Sequence, residues 1–294
     1  MTELELAYTE HRQLLLSIAY RMLGSYTDAE DIVQDTFVAL QRVHSEDIRS
    51  MKAYLVKAVT HRCLNHLKSA RKQREIYTGP WLPEPEIEMY DANLSPEEQV
   101  VREESVSYAF LVMLQQLSPM ERAIFLLREV LDYDYSQIAE ILDKSETNCR
   151  KIFSRAKQKM NQDEHSAVTL DQPSSGPFVQ AFMKGVRTGN FEGFIQMLTE
   201  QATLISDGGG KVRAAVLPIF GKDRVQAFLV GIQGKGSFSG ELLEVRINGD
   251  RGLLLIQEGS PRFAICFGTA SRAGFLEEIY LIANPDKLGN IRYK

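Results

Sequence analysis

No stretch of this 294-residue chain has the roughly 20 consecutive apolar residues that a membrane-spanning helix needs, so no membrane partner is expected. Cysteine is scarce: Cys63, Cys149 and Cys266 are odd in number and far apart. That argues against a disulfide framework or a CxxC zinc pattern and fits a reducing, cytoplasmic setting. The N-terminus, MTELELAYTEHRQ, is acidic and amphipathic, unlike a signal peptide. All five histidines lie at or before His165, so the rest of the chain lacks the commonest acid–base side chain. Repeats and low-complexity tracts are absent too.

Charge is present but uneven. The formal net charge of −5 would argue against nucleic acid if it were spread evenly. Instead, eight basic residues and no acid lie between Arg49 and Arg74, and five basic residues and no acid between Arg150 and Lys159. Between them, Glu84 to Glu104 holds eight acids and a single base, Arg102. Two basic helical segments separated by an acidic spacer suggest a two-point grip on a polyanion.

Helical spacing of apolar residues runs through 5–23, closed by Gly24. A second helix is expected to open with a capping box at Thr27 and Glu30, burying Ala29, Ile32, Val33, Thr36, Phe37 and Leu40. A third buries Tyr54, Leu55, Ala58, Val59, Leu64 and Leu67, completing a helical domain over 1–78. Residues 79–104 carry Pro80, Pro83, Pro85 and Pro96 and cannot form a long helix. They read either as a passive tether or as a docked linker anchored by Trp81, the only tryptophan. Ser118-Pro119-Met120-Glu121 is a strong helix start within a domain spanning 105–162. Two helices follow it, joined by a short turn at Asp143-Lys144, where glycine is common and aspartate is tolerated. After a second linker, 163–176, the pattern changes over 177–294. Helices are expected in 178–198 and 221–232, strands in ATLIS and KVRAAVL around a glycine run, and then a strand meander.

Asp28, Glu30, Asp31, Gln34 and Asp35 crowd the outer face of the second helix, where like charges four apart repel. A solvated acidic face is the plain reading and a docking surface the sharper one. YRMLGSYTDAEDIVQDTFVAL closely resembles region two of bacterial sigma-70 factors of the extracytoplasmic-function group. That resemblance implies that these residues bind core RNA polymerase at its β′ subunit. KAYLVKAVTHRCLNHLKSARKQRE resembles the segment that opens and reads the −10 element. The role falls on Lys57, His61, Arg62, Asn65, Lys68 and Arg71, since a strand-opening site needs basic and polar groups along single-stranded backbone. His61 and His66 are badly spaced for a metal and lack a third ligand, so no metal or other cofactor is expected. LSPMERAIFLLREVLDYDYSQIAEILDKSETNCRKIFSRAKQKM resembles region four, which reads the −35 element. A recognition helix offers its N-terminal residues to base edges, here Glu146, Thr147, Arg150, Lys151, Ser154 and Arg155.

The remainder resembles the SnoaL-like extension of one subgroup of these factors, the SigJ type, which carries WLPEP, DGGGK and NPDKL motifs. Here these are Trp81 to Pro85, Asp207 to Lys211 and Asn284 to Leu288. The implied architecture is two all-α domains followed by an α+β cone, a curved, mostly antiparallel sheet with helices. Trp81, Pro83, Asp207, Gly208, Gly209, Gly210, Lys211, Asn284, Pro285, Asp286 and Lys287 become candidate regulatory contacts. The glycine run is not a Walker loop: Ile205 stands where its first glycine belongs, and Val212 follows Lys211 in place of serine or threonine.

The expectation is a sigma factor, not an enzyme, whose partners are the β′ and β subunits of RNA polymerase and promoter DNA. Its own extension regulates it in place of a separate anti-sigma factor, and the free chain is a monomer. Two alternatives stay open: a helix-turn-helix regulator with a ligand-sensing domain, and a SnoaL-type isomerase whose base is one of Asp207, Asp223, Asp250 or Glu258.

Overall fold

The structure is a computed structural model that describes residues 3–43, 48–74, 77–89, 107–162, 175–269 and 274–289. The chain parts into two compact units, each assembled from separate stretches. One is Met1–Ile76 with Met113–Asp163, and the other is Tyr77–Val112 with Glu164–Lys294.

The first unit is all helical. Helices α1 (Glu3–Leu23), α2 (Tyr26–Leu40) and α3 (Met51–Arg74) pack through apolar faces. The six residues expected to be buried on α2 are buried. On α3 the buried face is rotated from expectation: Tyr54 and Ala58 are only half-buried, whereas Val56 and Cys63 are fully enclosed. The N-cap of α2 is Ser25, whose hydroxyl accepts from the Asp28 amide, and not Thr27. Gly24 turns the chain at φ 69°, which leaves Ser25 as the extended residue that a cap requires.

Helix α4 (Tyr108–Leu114) belongs to the second unit up to Val112; in the first unit it is followed by α5 (Pro119–Phe125), which continues through a π-helical turn, Leu126–Val130. The Ser118–Glu121 capping box forms in full. Helix α6 (Tyr135–Leu142) ends on Asp143 in the left-handed conformation, φ 52°, and α7 (Glu146–Gln162) follows, a helix-turn-helix. The two halves of this unit are tied by buried Arg122, whose guanidinium donates to the Met22 carbonyl in the last turn of α1 and to the Leu117 carbonyl at 3.3 Å.

The second unit is a seven-stranded sheet with helices α8 (Gly176–Thr188), α9 (Glu192–Ile195), α10 (Lys222–Gly234) and α11 (Pro285–Leu288). Its strands are β1 (Ile87–Met89), β2 (Leu198–Asp207), β3 (Ile219–Phe220), β4 (Glu241–Ile247), β5 (Asp250–Gln257), β6 (Ser260–Thr269) and β7 (Leu276–Ile282). Their order is β1-β4-β5-β6-β7-β2-β3, antiparallel except for β2 with β7. Asn248-Gly249 and Glu258-Gly259 all have positive φ and make the two-residue hairpin turns that match strand twist. One sheet face packs on α8 to α10 through phenylalanines 178, 182, 191, 194, 238, 263 and 267. KVRAAVL is not a strand. Val212 instead bonds back to the Gly208 carbonyl, and only Ile219–Phe220 pairs with β2.

Candidate nucleic-acid interface and linker anchor

On α2, Glu30, Asp31, Gln34 and Asp35 are exposed and Asp28 is half-buried, with Val38 beside them 47% exposed. Three of the acids face basic neighbours: Glu30 at 3.2 Å from Arg12, Asp28 at 3.6 Å from His66 and Asp35 at 3.9 Å from Arg62. The residues assigned to −10 DNA on α3 divide. Asn65 and Lys68 are open to solvent, and of Arg71 only the backbone is described. Lys57 and His61 turn to the end of α6. Lys57 Nζ donates to Asp143 Oδ1 at 2.5 Å and to the Glu140 carbonyl at 2.9 Å, while His61 Nε2 lies 2.7 Å from the Ile141 carbonyl. The Lys57 hydrogen bond holds the Asp143 carboxyl below its ordinary range.

All six residues assigned to −35 DNA are exposed on the first turns of α7. Arg150 is pre-positioned there. Its guanidinium bonds Glu146 at 3.1 Å and lies over the Tyr135 ring at 4.6 Å, where a cation is attracted to the π-face.

WLPEP is docked, not a free tether. Leu82, Pro83, Glu84 and Pro85 are buried, and β1 continues the same segment into the sheet as an edge strand. Its anchor is Asp207, a fully enclosed carboxylate. Oδ1 accepts from the Tyr77 hydroxyl at 2.6 Å and from the Gly209 amide at 2.9 Å, and Oδ2 from the Leu82 amide at 2.9 Å and Lys287 Nζ at 2.6 Å. Lys287 also donates to the Leu82 carbonyl and sits 4.2 Å from the Trp81 ring centroid. A charge taken out of water needs this degree of satisfaction. Burial first, then the bond to Asp207, pushes the Tyr77 hydroxyl up.

The glycines are required by contact as well as by φ. A Cβ on Gly208 would fall 2.4 Å from the Val212 carbonyl oxygen, one on Gly209 2.5 Å from the Asn284 side chain, and one on Gly210 3.2 Å from Thr78. Gly209 and Gly210 also have φ of 62° and 71°. Asn284 caps α11, with Pro285 in that helix's first turn, and donates to the Tyr77 hydroxyl at 2.9 Å, while Lys211 pairs with Asp286. Three motifs quoted separately from the sequence thus meet at one carboxylate. Sequence reasoning missed Tyr77, Tyr108 and Asn248. The Tyr108 hydroxyl donates to the Pro83 carbonyl at 2.7 Å, and Asn248 exchanges two hydrogen bonds with the Glu86 backbone. None of the three sits in a motif. Tyr108 and Asn248 lie 25 and 162 positions from the linker residues they bond, so no local pattern signals them.

Among the described residues no group of three His, Cys, Asp or Glu side chains is placed to hold a metal. No described helix is long and apolar enough to cross a membrane. The acidic stretch beyond Met89 and the second linker lie outside the described residues.

Comparison with known proteins matches residues 7–73 to the family described as sigma-70 region 2 and residues 107–160 to sigma-70 region 4. The ECF RNA polymerase sigma factor SigJ of Mycobacterium tuberculosis is 32% identical over 289 residues, covering 94% of this chain and 90% of the relative. A probable ECF RNA polymerase sigma factor of the same organism, SigI, is 30% identical over 197 residues, 65% of this chain and 66% of its own. The crystal structure of M. tuberculosis SigJ superposes with a TM-score of 0.75 at 28% identity, covering 98% of this chain and 99% of that one.

Proposed function

This chain belongs to the extracytoplasmic-function RNA polymerase sigma factors, and from that premise we propose that its C-terminal domain regulates initiation by holding the inter-region linker. As a sigma factor it binds core RNA polymerase and promoter DNA and acts in transcription initiation; it is not an enzyme.

The finer assignments follow the family resemblance, and the exposed acidic face of α2 and the exposed first turns of α7 support two of them. The acidic face of α2 docks on the β′ subunit, with the helix-turn-helix region meeting β. α3 takes the −10 strand, and the N-terminal turns of α7 read the −35 element. The proposal also has the protein act in the cytoplasm, as a monomer when free and without a separate anti-sigma factor.

The observation that carries the regulatory reading is the Asp207–Lys287 anchor, which holds the WLPEP segment by the Leu82 amide and carbonyl and by the Trp81 ring. The same anchor disfavours an isomerase, because the best-enclosed candidate base is already occupied by four donors. The test is in vitro transcription with core polymerase, from a promoter selected by the reconstituted holoenzyme. The wild type is compared with a Lys287→Met, Asp207→Leu double variant, which removes both charges together. A changed output at equal polymerase affinity supports the proposal; unchanged output and unchanged affinity overturn it.

A further inference from the structure

The turn of a helix-turn-helix commonly holds glycine, and this one holds Asp143 at φ 52°. Its carboxylate does not face solvent alone. Asp143 Oδ1 takes a hydrogen bond from Lys57 at 2.5 Å, and Oδ2 lies 3.5 Å from His61 Nε2. The carbonyls of Glu140 and Ile141 reach the same two side chains at 2.9 Å and 2.7 Å. One carboxylate and two C-terminal carbonyls, at the negative end of α6, thus present a cluster of oxygens to two nitrogen-bearing side chains one turn apart on α3. That is the chemistry a nucleic-acid phosphate offers.

We infer that Asp143 is an internal stand-in for a DNA phosphate: in the free chain it occupies the Lys57–His61 site, and a promoter strand must displace the helix-turn-helix turn to bind there. The inference rests on the assignment of α3 to single-stranded promoter DNA. The pair is exposed on both sides, 41% for the Lys57 side chain and 63% for Asp143, so the contact is weak and reversible, as a displaceable latch needs. Affinity for DNA is then reduced by the fraction of chain held closed.

The test uses the full chain without polymerase and a fluorescent single-stranded DNA of random sequence, about 30 nucleotides long, at one fixed salt concentration. Asp143→Gly suits the left-handed backbone and removes the carboxylate; Asp143→Asn keeps a side chain that tolerates the same φ. Both are expected to bind DNA about three-fold tighter than wild type. Asp132→Gly is the matched control: it is also an aspartate at φ 52°, exposed, with Arg128 as its neighbour at 3.6 Å, and its removal changes net charge equally. It is expected to leave affinity unchanged. If Asp143→Gly and Asp143→Asn bind like wild type, or no tighter than Asp132→Gly, while Lys57→Ala still weakens binding, the stand-in is wrong and the −10 assignment survives. If adding Lys57→Ala and His61→Ala to Asp143→Asn leaves DNA affinity unchanged, the −10 assignment itself fails. Thermal melts of each variant report whether the fold is kept.

Discussion

Asp207 and Lys287 form the unit of strongest local consequence, because each is buried and each leaves the other uncompensated if removed. Asp207→Ala is expected to cost about 3–5 kcal/mol in denaturant unfolding. The Asp207→Leu, Lys287→Met double variant is expected to recover most of that loss, since neither charge is then stranded. Equal loss in both would show that Asp207 acts through its backbone-amide bonds and not through the ion pair. Asp250 gives a pH-dependent counterpart. Burial pushes its carboxyl up to about 6, against the pull of Arg246. The folded chain therefore holds that proton more tightly than the unfolded one. The stability it contributes is complete below a pH of about 4 and is lost as pH rises through about 6. Asp250→Asn does not titrate, so its stability relative to wild type is expected to rise between those limits, by up to about 3 kcal/mol. A flat difference in melting temperature across that range would refute the shift. At this scale the sequence was legible in part. The glycine run advertised itself, but the reason for it lay in Thr78, Asn284 and the Val212 backbone, and only the first two are remote. Tyr77 stands 130 positions from the carboxylate it serves, and no local pattern encodes that pairing.

Helices were legible where an amphipathic period was strong, as on α2, and where a cap was complete, as at Ser118. The start of α2 was displaced because two hydroxyl residues, Ser25 and Thr27, compete for one cap and the left-handed Gly24 decides between them. The residues after the glycine run have strand-like composition yet fold as irregular chain: the Lys211 and Val212 amides bond to the Gly208 carbonyl and the Ala215 amide to the Ser206 hydroxyl, not to the backbone of a neighbouring strand. Strand propensity yields to context in this way. On α7 the prediction concerns Arg150, held by Glu146 and Tyr135. Arg150→Ala is expected to relax sequence preference at one −35 position by about 1–3 kcal/mol. Lys151→Ala, which leaves the Tyr135 contact intact, provides a neighbour for comparison. Holoenzyme binding to a panel of single-base promoter variants separates the two, and a uniform loss at every base would place Arg150 on phosphate.

For the whole molecule, the sequence order of domains concealed a different partition in space. Residues 1–76 and 113–163 form one unit, and the described parts of the stretch between them, 77–89 and 107–112, fold with the C-terminal half of the chain. The resemblance supplied the three motifs, but their convergence needs long-range contacts that a linear reading does not contain. One consequence follows from β1. This three-residue segment of the linker completes the sheet by covering the outer side of β4, with Ile87, Glu88 and Met89 opposite Ile247, Arg246 and Val245. Any event that frees the linker therefore uncaps a row of backbone donors and acceptors, and an open edge invites another chain to pair with it. Self-association is then the expected companion of release. The Asp207→Leu, Lys287→Met variant should sediment as larger species with rising concentration, whereas a lysine placed on β4 at Leu243 should suppress this without re-docking the linker. On this prediction, the strand that joins regions two and four in sequence also caps a sheet edge against pairing with other copies.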